Sequence, residues 1–234
     1  MSAGVYVHFP WCLAKCPYCD FVSYASPEID HRGYADAVIR ELDVRAELLA
    51  DTAVTTVFFG GGTPSLWNPH ELGRVLAAIR STLDAAPDLE VTVECNPTSI
   101  DAARARALGE AGVNRLSIGV QSLDDGRLRF LGRLHDARGG VAAVRAALEA
   151  GIGRVSADLI FGLPSQRPDE AVGEALALAD LGLDHVSCYQ LTIEAGTRFG
   201  ELAKRGRLPL ADDGAVAEAF VAIDDALGGR GFGH

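Results

Sequence analysis

The sequence predicts an α/β fold of six parallel strands joined by right-handed crossovers, with helices on the outside. Three observations predict it. Short apolar, β-branched runs alternate with segments of helical period. A short phrase recurs at the joints between them. The 234 residues, 48% of them hydrophobic, suffice for one sizeable core.

The strand runs are Val5–Phe9, Val54–Phe59, Leu89–Val93, Val113–Val120, Ile152–Phe161 and Leu183–Leu191. Between the first two, Tyr34, Val38, Leu42, Arg45 and Leu49 keep a four-residue rhythm. Leu72, Val75, Leu76, Ile79 and Leu83 follow i, i+3, i+4, i+7, so both segments read as one-sided helices. Strands that alternate with helices pair in parallel, because each crossover must return the chain to the same end of the sheet.

The recurring phrase is "AGVNRLS" (111–117), "AGIGRVS" (150–156) and "LGLDHVS" (181–187). A glycine ends each helix and an apolar residue opens the next strand. The last residues, "GRGFGH" (229–234), begin the phrase again. They read as the start of a seventh strand in a C-terminally truncated chain, or alternatively as a glycine-rich tail. Residues 1–234 are taken as one core domain.

Charge and targeting signals narrow the function. The formal charge of −11 and pI near 4.9 argue against a broad nucleic-acid face, which needs clustered Lys and Arg. "MSAGVYVHF" lacks the basic start and long apolar run of a signal peptide, and no later stretch approaches a membrane span. The expected location is cytoplasmic, where clustered cysteines mean metal or catalysis more often than disulfides.

Three of the five cysteines fall within eight positions, as C-x-x-x-C-x-x-C at Cys12, Cys16 and Cys19. Structural zinc takes four ligands, and the chain has no second C-x-x-C pair. Three thiolates in one loop suit a 4Fe–4S cluster with one iron left open to a small molecule. The loop follows a strand, so it lies at a carboxyl edge, where parallel α/β folds place their sites. A zinc loop completed by His8 or a distant histidine is the competing assignment. Cys95 and Cys188 lie among apolar neighbours and read as buried thiols. No G-x-S-x-G, H-E-x-x-H or phosphate-loop motif supports a hydrolase or NTPase.

"YVHFPWC" followed by "CPYCDF" resembles the radical S-adenosylmethionine (SAM) superfamily. More narrowly, it resembles the branch that holds oxygen-independent coproporphyrinogen III oxidase and the HemW-type heme chaperones. The similarity runs over essentially the whole chain. It implies a partial (β/α)6 radical SAM barrel, with a 4Fe–4S cluster on Cys12, Cys16 and Cys19. SAM would chelate the open iron, and an electron from the cluster would cleave it to methionine and a 5′-deoxyadenosyl radical.

The strand ends carry the implied SAM contacts. "FFGGGTPS" (58–65) follows the second strand, and glycines there allow φ > 0 and close approach of backbone N–H groups to a ligand. The resemblance places Gly61, Gly62 and Thr63 at the methionine end of SAM. Glu94 in "VTVECNP" and Asp158 in "SADLIFGLP" are carboxylates inside apolar strands, which must be paired or exposed. By resemblance Glu94, Gln121 of "VQS", Arg133 of "FLGRLH" and Asp158 line the SAM pocket. Tyr6 and the Tyr18 backbone are implied near the cluster, and Thr192 on the adenine side. An ion pair between a strand carboxylate and an arginine, with no ligand role, is the alternative for each.

The oxidases of this branch carry another cysteine two positions after the third, where this sequence has Phe21. That departure favours the heme-chaperone side, as do "GGGTPSLW" and "YQLTIE" (189–194). The resemblance thus implies heme or a porphyrinogen as the bound molecule, heme-acceptor proteins and an electron-donor protein as partners. The oxidase reaction and a zinc-binding or inactive scaffold are the alternatives.

Overall fold

The structure, a computed structural model, describes residues 2–234. In chain order the elements are β1 (Ser2–Phe9), β2 (Trp11–Cys12), β3 (Tyr24–Ala25), α1 (His31–Arg45), β4 (Ala53–Gly61), α2 (Pro69–Thr82), β5 (Ala85–Cys95) and α3 (Ala102–Glu110). There follow β6 (Arg115–Gln121), α4 (Asp125–Phe130), α5 (Ala137–Glu149), β7 (Arg154–Phe161), α6 (Pro168–Ala179), β8 (His185–Gln190), α7 (Arg198–Lys204) and α8 (Asp213–Gly228).

Six strands form one parallel sheet of order β1-β4-β5-β6-β7-β8, and these are the six runs expected from sequence. Its order follows chain order, as right-handed crossovers in one direction produce. Tyr6 lies beside Phe58 in the β1–β4 register, Phe59 beside Val93 between β4 and β5, and Asp158 beside Ser187 between β7 and β8. Among the described residues, no helix is long and apolar enough to cross a membrane.

Two compact units divide the chain. The first takes in the chain up to Lys15, Phe21–Ser117 and Ala146–Arg154, and the second Cys16–Asp20, Ile118–Arg145 and Val155–His234. In the first, Phe9, Phe59 and Trp67 are wholly buried, each contributing about 1.5–3 kcal/mol by leaving water. Phe9 packs on Trp67 and on Trp11, both with ring centroids 5.1 Å apart, and Trp11 meets Tyr34 edge-on at 4.6 Å. Leu72, Val75, Leu76 and Ile79 form the buried face of α2, as their spacing requires. α1 is shorter than the four-residue rhythm suggests. It ends at Arg45, and Leu49 falls in a 3₁₀ turn, Ala46–Leu49.

In the second unit, α6 buries Ala171, Glu174, Ala175 and Leu178, spaced i, i+3, i+4, i+7. One of those four is a carboxylate. α8 buries Val216, Ala219, Ile223 and Leu227.

The recurring phrase is a helix cap. Gly112, Gly151, Gly182 and Gly231 all take positive φ, at 99°, 78°, 84° and 87°. At the first, Gly112 N–H donates to Gly109 O and Val113 N–H to Leu108 O, the paired bonds of a Schellman turn. Gly231 and Phe232 repeat that pair on Gly228 O and Leu227 O. Residues 229–234 thus reproduce the cap, and no strand forms among them.

Candidate functional site

The cysteine loop grows out of the carboxyl end of β1. Its base belongs to the first unit, where Trp11 pairs with Tyr24 and Cys12 with Ala25. Tyr24 N–H donates to Pro10 O at 2.7 Å and Ser26 N–H to Cys12 O at 3.1 Å, so the chain departs and returns over one short ladder. The Tyr34 hydroxyl donates to His8 O from below.

The glycine run after β4 braces the same base. Gly62 N–H donates to Phe9 O at 2.7 Å and Thr63 N–H to Trp11 O at 2.8 Å. Gly61 N–H donates to Glu94 Oε2 at 3.0 Å. These N–H groups are engaged by the protein itself, which differs from the sequence expectation that they approach a ligand. Only Gly61 of the three takes positive φ, at 111°. Gly60 and Gly62 are glycines because space demands it. A Cβ on Gly60 would lie 2.8 Å from both the Phe58 and Tyr6 rings, and one on Gly62 only 2.5 Å from Trp11 O.

His8 stands over this turn. Its Nδ1 lies 3.1 Å from the Tyr6 hydroxyl and its Nε2 2.8 Å from Val22 O. Nε2 ties down the far side of the loop and Nδ1 is taken by its strand neighbour Tyr6, which weighs against His8 as a fourth metal ligand. Tyr6 stacks on Phe58 at 6.1 Å. Burial, and to a lesser degree the Glu94 carboxylate, raise its phenol pKa. Phe21, at the position where the oxidases carry a further cysteine, is 55% exposed.

Cys16 and Cys19 belong to the second unit, and the two residues between them are anchors. Pro17 O accepts from Phe199 N–H at 2.8 Å. A Cβ on Gly132 would come within 2.6 Å of Pro17 Cδ, so glycine is required there. Tyr18 packs against Leu131, Ile160 and Leu163. Burial raises its phenol pKa; Arg133 opposes that shift and Cys16, its hydrogen-bond partner, adds to it. Cys19 N–H closes the turn on Cys16 O at 3.1 Å.

Arg133 follows α4 through another Schellman turn, with Gly132 at φ 68° and Arg133 N–H on Leu128 O. The turn points its guanidinium back at the cysteines. Nη1 donates to Cys16 Sγ at 3.5 Å and Nη2 to Gly119 O at 2.8 Å, while the buried Nε has no partner. Cys16 Sγ therefore faces a fixed cationic donor. The unmatched Nε is a spare donor for a bound acceptor. Two sulfurs three residues apart on one turn are a donor set that suits a cluster, and the arginine beside them has a donor to spare.

The other candidates are distributed over the second unit's strand ends. Asp158 is half-buried within β7. Burial, aided by Asp158, pushes the Cys188 thiol up to about 11. Thr192 is exposed just past β8. Gln121 closes β6 with φ 69°, a conformation that costs a non-glycine residue about 1–3 kcal/mol.

What sequence reasoning missed is the apparatus behind Gln121. Ser122 Oγ and Leu123 N–H both donate to Glu174 Oε2 at 2.7 Å, and Arg127 Nη1 donates to Oε1 at 2.6 Å. His135 Nε2 lies 2.9 Å from Val120 O. A carbonyl only accepts, so the proton sits on Nε2 and the buried Nδ1 is left without a partner. The sequence signal was available: Glu174 interrupts the apolar face of α6 at Ala171, Ala175 and Leu178.

Comparison with known proteins agrees with this geometry. Residues 6–179 match the Radical SAM superfamily. The chain is 42% identical over 218 residues to bovine (Bos taurus) radical S-adenosyl methionine domain-containing protein 1, mitochondrial, covering 93% of this chain and 49% of that protein. It is 39% identical over 231 residues to the heme chaperone HemW of Escherichia coli K12, covering 98% of this chain and 60% of that one. Coproporphyrinogen III oxidase (HemN) of Escherichia coli superposes with a TM-score of 0.84 at 26% identity, over 98% of this chain and 53% of that one. The chain therefore spans about half to three fifths of the length of these relatives.

Proposed function

This chain belongs to the radical SAM superfamily, and on that premise we propose that it is the SAM- and cluster-binding core of a HemW-type heme chaperone. Cys12, Cys16 and Cys19 hold a 4Fe–4S cluster, which supplies an open iron for chelation and a low-potential electron. The SAM contacts proposed from the first unit are Tyr6, Gly61, Gly62, Thr63 and Glu94. Those from the second are Tyr18, Gln121, Arg133, Asp158 and Thr192. Arg133 donates to the Cys16 sulfur, and Pro17 and Tyr18 fix the turn that carries it. Heme is the cargo, heme-acceptor proteins receive it, and an electron-donor protein serves the cluster.

The observation that carries this reading is the cysteine loop on β1 with Phe21 two positions after its third cysteine. The identity to HemW supports it. Anaerobic reconstitution with iron and sulfide, followed by titration with hemin and with SAM, tests it. A cluster that binds SAM, in a protein that saturates with heme, is the expected result. A preparation holding only zinc overturns it.

The likeness to HemN favours one second reading, oxidative decarboxylation of porphyrinogen propionates. Decarboxylated product from coproporphyrinogen III, SAM and a reductant would establish it over the chaperone.

A further inference from the structure

β6 does not run smoothly into its loop. Ser122 N–H returns to Val120 O at 2.9 Å, across a Gln121 with φ 69°. That is a γ-turn of the φ-positive hand, a strained form that persists only where its surroundings over-determine it. Two side chains from outside the turn do so. His135 Nε2 donates to Val120 O on one side. On the other, Glu174 from α6 accepts from Ser122 Oγ and from Leu123 N–H. Ser122 Oγ in turn accepts from Asp124 N–H at 3.1 Å.

Glu174 is itself fixed. Only 7% of it is exposed, and Arg127 bridges it to Glu170, with Nη1 on Glu174 at 2.6 Å and Nη2 on Glu170 at 2.8 Å. A buried carboxylate is retained at a cost in desolvation, and here its bonds to Ser122, Leu123 and Arg127 of α4 converge on the stretch that follows Gln121. None of this stabilises the apolar packing of α6, where a leucine or alanine would serve better. What it does stabilise is a backbone conformation that reverses the direction in which Gln121 leaves the strand.

We infer that Glu174 is a positioning residue, which sets the γ-turn and thereby aims Gln121 at the bound nucleoside without touching it. The inference rests on the SAM-binding reading above. It assigns to one buried side chain of α6 a share of SAM affinity and none of the cluster.

Glu174→Gln in the reconstituted protein tests this. Its single oxygen cannot serve Ser122, Leu123 and Arg127 together. SAM affinity is expected to fall about tenfold, the scale of one lost charge-assisted hydrogen bond, while iron and sulfide content and the cluster spectrum stay as in the parent. In a Gln121→Ala background the same change is expected to cost less than about twofold, since residues acting through one another are not additive. Amide exchange at Leu123 should rise in Glu174→Gln while Leu116 and Ile118 keep their protection. Should Glu174→Gln fail to fold, Ser122→Ala removes the hydroxyl's bond to Glu174 and the one it accepts from Asp124 N–H without uncovering a charge, with about a threefold loss expected. Parental SAM affinity, a full tenfold loss on top of Gln121→Ala, or unchanged Leu123 exchange would each overturn the assignment. A parent protein that holds a cluster and no SAM instead overturns the proposed function, and the exchange measurement then decides the turn by itself.

Discussion

β4 and β6 each end in a sharp turn, and they make it by opposite means. After β4 the chain spends glycines: Gly60, Gly61 and Gly62 have no room for a Cβ, and backbone N–H groups 61–63 are consumed by Glu94, Phe9 and Trp11. After β6 the turning residue is Gln121, held at φ 69° by partners distant in sequence. A glycine turn needs nothing from elsewhere but can present only backbone. A clamped turn keeps a side chain at the apex, at the cost of strain that a buried Glu–Arg pair must hold. The first is suited to bracing the cysteine loop while it offers a ligand atoms other than its N–H groups, and the second to reaching a ligand with a side chain.

The largest effect should come from removing what both turns are proposed to serve. Cys16→Ala is expected to lower bound iron and sulfide at least about tenfold after anaerobic reconstitution, since two thiolates do not retain a cubane. It also takes the sulfur acceptor from Arg133 Nη1. Full cluster content in that variant would remove the common purpose from the comparison.

Gly62→Ala comes next. Its Cβ would meet Trp11 O at 2.5 Å, Phe9 O and Pro10 C at 2.9 Å, all backbone atoms that cannot rotate away. A loss of about 3 kcal/mol in denaturant unfolding is expected, at the upper end for overpacking. Gln121→Gly should do the reverse to stability. Glycine adopts φ 69° freely, so the unfolding free energy is expected to hold or to rise by up to about 1 kcal/mol, while SAM affinity falls. Two turns that respond alike to these changes would erase the distinction drawn here.

The smallest effect is a slope. Burial lowers the His135 pKa, and Arg133 pushes the same way against Val120 O and Asp136. The folded pKa thus lies below the unfolded value of 6.5, and the unfolded chain takes up the proton first. Stability is expected to be intact above pH 6.5 and to decline as pH falls from there toward the folded pKa. His135→Gln should flatten that part of the unfolding profile, and an unchanged slope would show that the clamp on Val120 carries no titrating proton.

The same contrast explains what could be read in the sequence. All six sheet strands were legible from apolar runs, and the glycine phrase located the caps at Gly112, Gly151 and Gly182, because glycine marks positive φ directly. Gln121 and Ser165 also take positive φ, and no residue type announces it there; at Gln121 bonds to distant residues hold it. The cysteine loop was legible as a motif of the superfamily that the chain belongs to. Its anchoring was not: Pro17 against Gly132, or Arg133 on Cys16, joins positions more than a hundred residues apart in sequence. Glu174 lay between these cases, visible as a charge on an apolar helix face but without a nameable partner.

The two cysteines outside the loop have a consequence for metallation. Cys95 is buried and its thiol donates to Val93 O. With its pKa pushed to about 11, Cys188 is ionised in only about one molecule in ten thousand at pH 7. On the function proposed above, iron loading the three-cysteine loop would meet little competition from either of them. Selectivity in such loading would come from withholding reactivity from the bystander sulfurs.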